Sequence, residues 1–91
     1  MKLAIGYTTQ IWRESDQFIA HTMPLDVASS GGSPEEARQA LDEAVHLFLS
    51  TAADHGTLNR VLEDSGYVQT GHSWQSPSCL AVERGEAVLT V

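Results

Sequence analysis

Ser33-Pro34-Glu35-Glu36, which begins about a third of the way along the 91-residue chain, has the composition of a helix N-terminus. The Ser33 hydroxyl can accept a hydrogen bond from an amide of the first turn, and Pro34 loses nothing where its N–H would have no helical partner. Glu36 stands three residues after the cap and can close a capping box, and both acids favour the positive end of the helix dipole. The stretch therefore predicts a helix that begins at residue 34.

The residues that follow keep the period of an amphipathic helix. Apolar side chains recur at steps of three and four residues, at Ala37, Ala40, Leu41, Ala44, Val45, Phe48, Leu49 and Ala52. Polar side chains fill the other face, which predicts a helix of about 20 residues that ends near Asp54-His55-Gly56. A shorter helix is predicted from Thr57 to Ser65, with Thr57 as its cap and Gly66 as its stop.

The residues before the long helix favour strands. Lys2–Trp12 places Leu3, Ile5, Tyr7, Thr9 and Ile11 on one face by the period of two. Arg13-Glu14-Ser15-Asp16 is a polar break of hairpin length, and Gln17–Met23 resumes extended character. Leu25–Ser30 is a short third strand candidate. These stretches predict an antiparallel sheet of three strands.

After the short helix, Val68–Ser78 is predicted to be a loop or an irregular strand, whereas Leu80–Glu83 and Ala87–Val91 have strand character. We therefore expect a single α+β domain over residues 1–91. Its three-stranded antiparallel sheet, with a further strand or hairpin at the C-terminal side, would pack on one long helix and a short second helix.

The charge balance limits the classes of partner. Twelve Asp and Glu oppose five Lys and Arg, for a formal net charge of −7, and no basic cluster occurs. A face that neutralises phosphates is therefore not expected, which argues against binding nucleic acid or an anionic membrane surface. A basic protein partner suits this charge. The single cysteine, Cys79, and the absence of a signal-peptide pattern predict a cytoplasmic location.

Residues that could perform chemistry are scattered. The four histidines lack metal-binding spacing, Cys79 has no CxxC partner, and no GxSxG motif occurs. No acid lies between Lys2 and Trp12, so carboxylates are not expected to converge from neighbouring strands. We therefore expect no catalytic or metal site and no cofactor. A nuclease that uses Asp26 or Glu83 is the enzymatic alternative.

Four residues are candidates for contact with a partner. Trp12 and Trp74 are predicted to lie at strand or loop ends, where tryptophan often forms contact surfaces, although either could instead fill a gap in the core. Asp42 and Glu43 fall on the outer face of the predicted long helix. We take these four residues as the predicted partner-binding set.

The stretch Met23–Ala37 resembles the HicB-type antitoxin family, in which a strand ends in a proline- and aspartate-containing turn, followed by a short strand, a loop with glycine and serine, and a helix start. Ala40–Leu49 is similar to the family's helix, and the preceding hairpin, Lys2–Met23, has the right order, so the resemblance covers about residues 1–54. Val61–Tyr67 looks like longer members of the same group.

The resemblance implies a partial ribonuclease-H-like fold, β-β-β-α-β, without the catalytic acids of that fold. It also implies neutralisation of a small basic HicA-like toxin that cleaves RNA, and self-association into dimers or tetramers. Many members add an operator-binding module that this chain lacks, so direct DNA binding is not expected. The alternative is a self-associating structural or regulatory domain with no toxin partner.

Overall fold

A computed structural model describes residues 2–91 of the chain. Its elements, in chain order, are β1 (Ala4–Ile5), β2 (Thr8–Glu14), β3 (Gln17–Met23), β4 (Val27–Gly31), α1 (Pro34–Asp54), α2 (Leu58–Asp64), β5 (Val68–Thr70) and β6 (Ser73–Gln75). The strands form two small sheets, and the α+β class with one long and one short helix is confirmed.

The larger sheet is the predicted antiparallel one, with strand order β2-β3-β4. Thr8 pairs with Met23 at one end of the β2–β3 hairpin, and Glu14 pairs with Gln17 at the other. The turn is thus shorter than the predicted polar break. It holds only Ser15 and Asp16, and Ser15 takes a left-handed φ of 54°.

The predicted first strand is divided in two. Its beginning, β1, pairs in parallel with β6, whereas its continuation, β2, pairs with β3 in the larger sheet. Between them, the hydroxyl of Tyr67 donates a hydrogen bond to the carbonyl of Gly6. The smaller sheet has the order β1-β6-β5, so the stretch predicted to be a loop or irregular strand is an antiparallel hairpin, β5–β6.

Helix α1 covers one face of the larger sheet, and the core lies at this contact. Its cap is the predicted one, because the amide of Glu36 donates to Ser33 Oγ at 3.1 Å. The Glu36 carboxylate accepts from the amide of Gly32 at 2.9 Å, one residue before the cap residue that a capping box would use. The core consists of Ala20, Leu25, Ala37, Leu41, Val45, Leu62, Tyr67 and Trp74.

Two predictions after α1 are wrong. Thr57 does not cap α2 with its side chain, because its hydroxyl donates instead to the carbonyl of Ala52 at 3.3 Å. Residues 80–83 and 87–91 are not strands: they have no regular secondary structure and are exposed. Pro77 follows β6 and has no N–H to continue a ladder, so the chain leaves the smaller sheet at this point.

Candidate functional site

Within residues 2–91, helix α1 packs on one face of the larger sheet. The pairing register points Ile11, Phe18, Ala20 and Thr22 toward α1, so the alternate side chains point away from the helix. We call this second surface the open sheet face. Its residues are Thr8, Gln10, Trp12, Glu14, Gln17, Ile19, His21, Met23, Ala28 and Ser30.

Trp12 is the largest side chain of the open sheet face and is 38% exposed. Its Nε1 donates to Oε1 of Glu14 at 3.0 Å. Its ring centroid lies 6.3 Å from that of His21 at an interplanar angle of 58°. The indole is therefore held between a carboxylate and an imidazole, with much of its ring area available for contact. Trp12 thus lies where a contact residue is expected.

A second carboxylate lies beside His21. Nε2 of His21 is 2.6 Å from Oδ1 of Asp26. Because an ionised carboxylate only accepts hydrogen bonds, the proton of this bond belongs to His21 Nε2. Asp26 takes a left-handed φ of 58°, and its amide donates to the carbonyl of Thr22 at 2.9 Å. The turn is anchored by Leu25, which is buried in the core.

His21 and Asp26 were not in the predicted partner-binding set. A spacing of five residues does not predict contact between two side chains of one strand. His21 and Asp26 approach each other because the turn after Met23 brings the chain back over the sheet. The available signal was the Pro24-Leu25-Asp26 turn, since aspartate tolerates a left-handed conformation better than most residues.

A groove of about 570 Å³ lies between β1, β6 and the residues after β6. A larger one, of about 750 Å³, lies along β2 and the end of β3. The larger groove is mostly apolar and is bordered by Ile11, Met23 and Pro24 on the sheet side. Cys79, Ala81 and Val82 border it on the other side. This groove is called the β2 groove below.

The predicted residues Asp42 and Glu43 lie on α1, which packs on the other face of the sheet. Both are exposed. Oδ1 of Asp42 accepts a hydrogen bond from the Tyr7 hydroxyl at 2.5 Å. Burial, this hydrogen bond and the negative charge of Asp42 together raise the pKa of Tyr7 to about 12. Asp42 therefore has a structural contact, and the structure does not bring it together with Trp12.

Trp74 is in the core. Only 3% of it is exposed, and it belongs to the same buried cluster as Leu62 and Tyr67. Its Nε1 is buried without a hydrogen-bond partner among residues 2–91. The structure therefore supports the alternative that Trp74 fills the core, and its side chain offers no surface to a partner.

Within residues 2–91, no three His, Cys, Asp or Glu side chains converge closely enough to hold a metal ion. In the same part of the chain, neither helix combines the length and hydropathy that crossing a membrane requires. Comparison of the chain with protein-family models, with curated proteins and with solved structures finds no match.

Proposed function

We propose that this chain is a non-catalytic, HicB-like antitoxin that binds a small basic RNA-cleaving protein and neutralises it. The observation that carries the proposal is the open sheet face, where the exposed ring of Trp12 is hydrogen-bonded to Glu14 and lies beside His21, which in turn contacts the carboxylate of Asp26. The resemblance of residues 1–54 to that family is the reason for proposing a toxin as the partner.

The chemistry of this surface suits a basic protein. An arginine side chain can stack on an exposed indole and at the same time form charge-assisted hydrogen bonds to a nearby carboxylate. Trp12 and Glu14 supply both groups 3.0 Å apart. Tryptophan is also enriched among the few residues that dominate interface energies. We therefore expect an arginine of the partner to occupy the space above Trp12.

The overall charge favours the same class of partner. A net charge of −7 attracts a basic protein over a distance of about one Debye length, about 8 Å at physiological salt. The association rate should then fall as the salt concentration rises. The exposed acids of α1, including Glu35 and Glu43, contribute to this field without needing to touch the partner.

The test is co-purification with a small basic protein encoded beside this gene, followed by calorimetry. Trp12→Ala should weaken binding at least about 30-fold, which corresponds to a hot spot of about 2 kcal/mol. Leu47→Ala is the matched control, because Leu47 is a large exposed apolar residue on α1, on the other side of the sheet. A toxin that binds the Trp12→Ala variant as tightly as the wild type would contradict the proposed surface.

A charge series separates the two acidic surfaces. Asp26→Asn removes the carboxylate that contacts His21 of the open sheet face, and Glu43→Gln removes one from α1. We expect the first to weaken binding more than the second at the same ionic strength. The reverse order would place the partner on the helix. If no adjacent basic protein binds at all, the toxin-specific form of the proposal fails.

The second candidate function is a self-associating structural or regulatory domain without a toxin partner. The observation that favours it is the exposed apolar segment over residues 80–91.

A further inference from the structure

The segment over residues 80–91 is apolar in sequence and exposed in the structure. Its large apolar side chains are Leu80, Val82, Val88, Leu89 and Val91, and every one is exposed. Val88 is 87% exposed and Leu89 is 79% exposed, so the folded part of the same chain covers almost none of their surface. Aliphatic side chains of this size gain about 1.5–3 kcal/mol each on full burial, so the segment carries a strong tendency to be covered.

The segment also extends away from the domain. The radius of gyration is 15.5 Å and the longest dimension is 50 Å, whereas a compact chain of this length has a radius of gyration of roughly 12 Å. Residues 80–91 are thus an arm: Ala81 and Val82 border the β2 groove of their own chain, and the exposed residues after them reach beyond the domain. An arm of this kind suits exchange between two copies of a chain.

A free strand edge is available on the same molecule. Strand β2 is the outer strand of the larger sheet, and within residues 2–91 the backbone of Thr8–Glu14 forms hydrogen bonds to β3 alone. The edge is seven residues long. An unpaired edge of this length is a template for a strand from another chain.

The β2 edge fits this role better than the other three free edges, which are those of β1, a strand of only two residues, of β4 and of β5. It lies against the β2 groove, of about 750 Å³, whose sheet side is bordered by Ile11, Met23 and Pro24. Strand β5 is only three residues long, and all three are exposed, so it offers no apolar wall. Strand β4 lies directly under α1, whose backbone would be only 2.6 Å from a Cβ at Gly31.

We infer that residues 87–91 of one copy add as a strand to the β2 edge of a second copy, and that the exchange is reciprocal. Backbone hydrogen bonds would join the strands, and alternate side chains of Ala87–Val91 would fill the β2 groove. Residues 87–91 carry no charged side chain, so two copies with a charge of −7 each can meet there without a direct clash of like charges. The inference does not depend on toxin binding.

The first experiment measures the mass of the purified full chain by light scattering over a range of concentrations. We expect a species of twice 9.9 kDa. Leu89→Asp should raise the dissociation constant of the dimer at least tenfold, because it puts a charge into the β2 groove. Leu47→Asp is the matched control, since Leu47 is 67% exposed on α1 and should leave the mass unchanged. A monomer at all concentrations, or equal effects of both variants, would overturn the inference.

The second experiment identifies the edge by disulfide cross-linking in a Cys79→Ser background. Cysteines at positions 10 and 89 should form a disulfide between two chains, because Gln10 lies on β2. The control pairs place cysteine 89 with position 30 on β4 or with position 69 on β5, and they should not cross-link. An intrachain disulfide between positions 10 and 89 would mean that the arm occupies its own groove. That result, or preferential cross-linking to β4 or β5, would overturn the inference even if toxin binding were demonstrated.

Discussion

Strand β3 (Gln17–Met23) and the segment Ala87–Val91 are similar in sequence and opposite in structure. Both are short, contain β-branched residues and follow a polar stretch, Glu14-Ser15-Asp16 in one case and Glu83–Glu86 in the other. Strand β3 has a neighbour on each side, and its Ala20 and Thr22 are fully buried. Residues 87–91 pair with no strand within residues 2–91 and are exposed. Residues of this kind are therefore compatible with a sheet, but they form a strand only where the edge of another strand is available for pairing.

Substitution of leucine should give the largest difference in unfolding free energy between the folded part and the arm. Leu41 is fully buried between α1 and the sheet. Leu41→Ala should lower the free energy of unfolding by about 3 kcal/mol, because the methylene groups are lost and a cavity remains. Leu89→Ala should change it by less than about 0.5 kcal/mol at concentrations where the chain is monomeric. Urea unfolding followed by circular dichroism measures both, and equal losses would mean that the arm is part of the core.

Glycine gives a second contrast. A Cβ at Gly31 would lie 2.6 Å from the amide nitrogen of Ala37 and 2.8 Å from the carbonyl carbon of Glu36. Gly31→Ala should therefore cost about 1–3 kcal/mol, since β4 and α1 must move apart. A Cβ at Gly85 would meet nothing within 4 Å, so Gly85→Ala is the neutral control. Thermal unfolding of the two variants compares them, and an unchanged midpoint for Gly31→Ala would show that the helix does not approach β4 this closely.

Serine gives a smaller contrast. Ser33 caps α1 through the hydrogen bond that its Oγ accepts from the amide of Glu36. Ser33→Ala should cost about 1 kcal/mol of unfolding free energy, the usual value for a helix cap. Ser78 is exposed just before the arm, and Ser78→Ala should have no measurable effect. If both substitutions were neutral in urea unfolding, Ser33 would not be acting as a cap.

The smallest effect concerns pH. Folding favours the neutral phenol of Tyr7, because the pKa of Tyr7 is about 12 in the folded state and its ordinary value is 10.0. The stability that this shift provides is present below about pH 10 and is lost as the pH rises through about 12. Asp42→Asn should lower the pKa of Tyr7, because it removes the negative charge. Absorbance titration at about 295 nm, compared with Tyr7→Phe, follows this group, and an unchanged titration curve in Asp42→Asn would exclude the contact.

The local signals up to residue 54 predicted the local structure, whereas the cap at Thr57 and the strands at residues 80–83 and 87–91 were predicted wrongly. The cap at Ser33, the apolar period of α1 and the alternation of β3 act over a few residues, and each element formed where it was predicted. The division of the first strand and the β5–β6 hairpin were not predicted, because each depends on which distant strand is available for pairing.

The candidate site was predicted only in part, for the same reason. Trp12 could be chosen from its residue type and strand position, and it does lie on the open sheet face. The burial of Trp74 depends on the pairing of β6 with β1, and no local sequence pattern predicts that pairing. His21 and Asp26 meet only because the turn at Leu25 folds back onto the core.

The contact of Tyr67 with Gly6 has a consequence for the order of folding. These residues are separated by 61 positions in the chain, whereas the β2–β3 hairpin closes over a two-residue turn. Closure of a long loop costs more chain entropy than closure of a short one, so contacts between distant residues form late. During synthesis, the hairpin and α1 can assemble first. Strand β1 has no partner until β6 has been synthesised, so β1 becomes ordered only when the smaller sheet is complete.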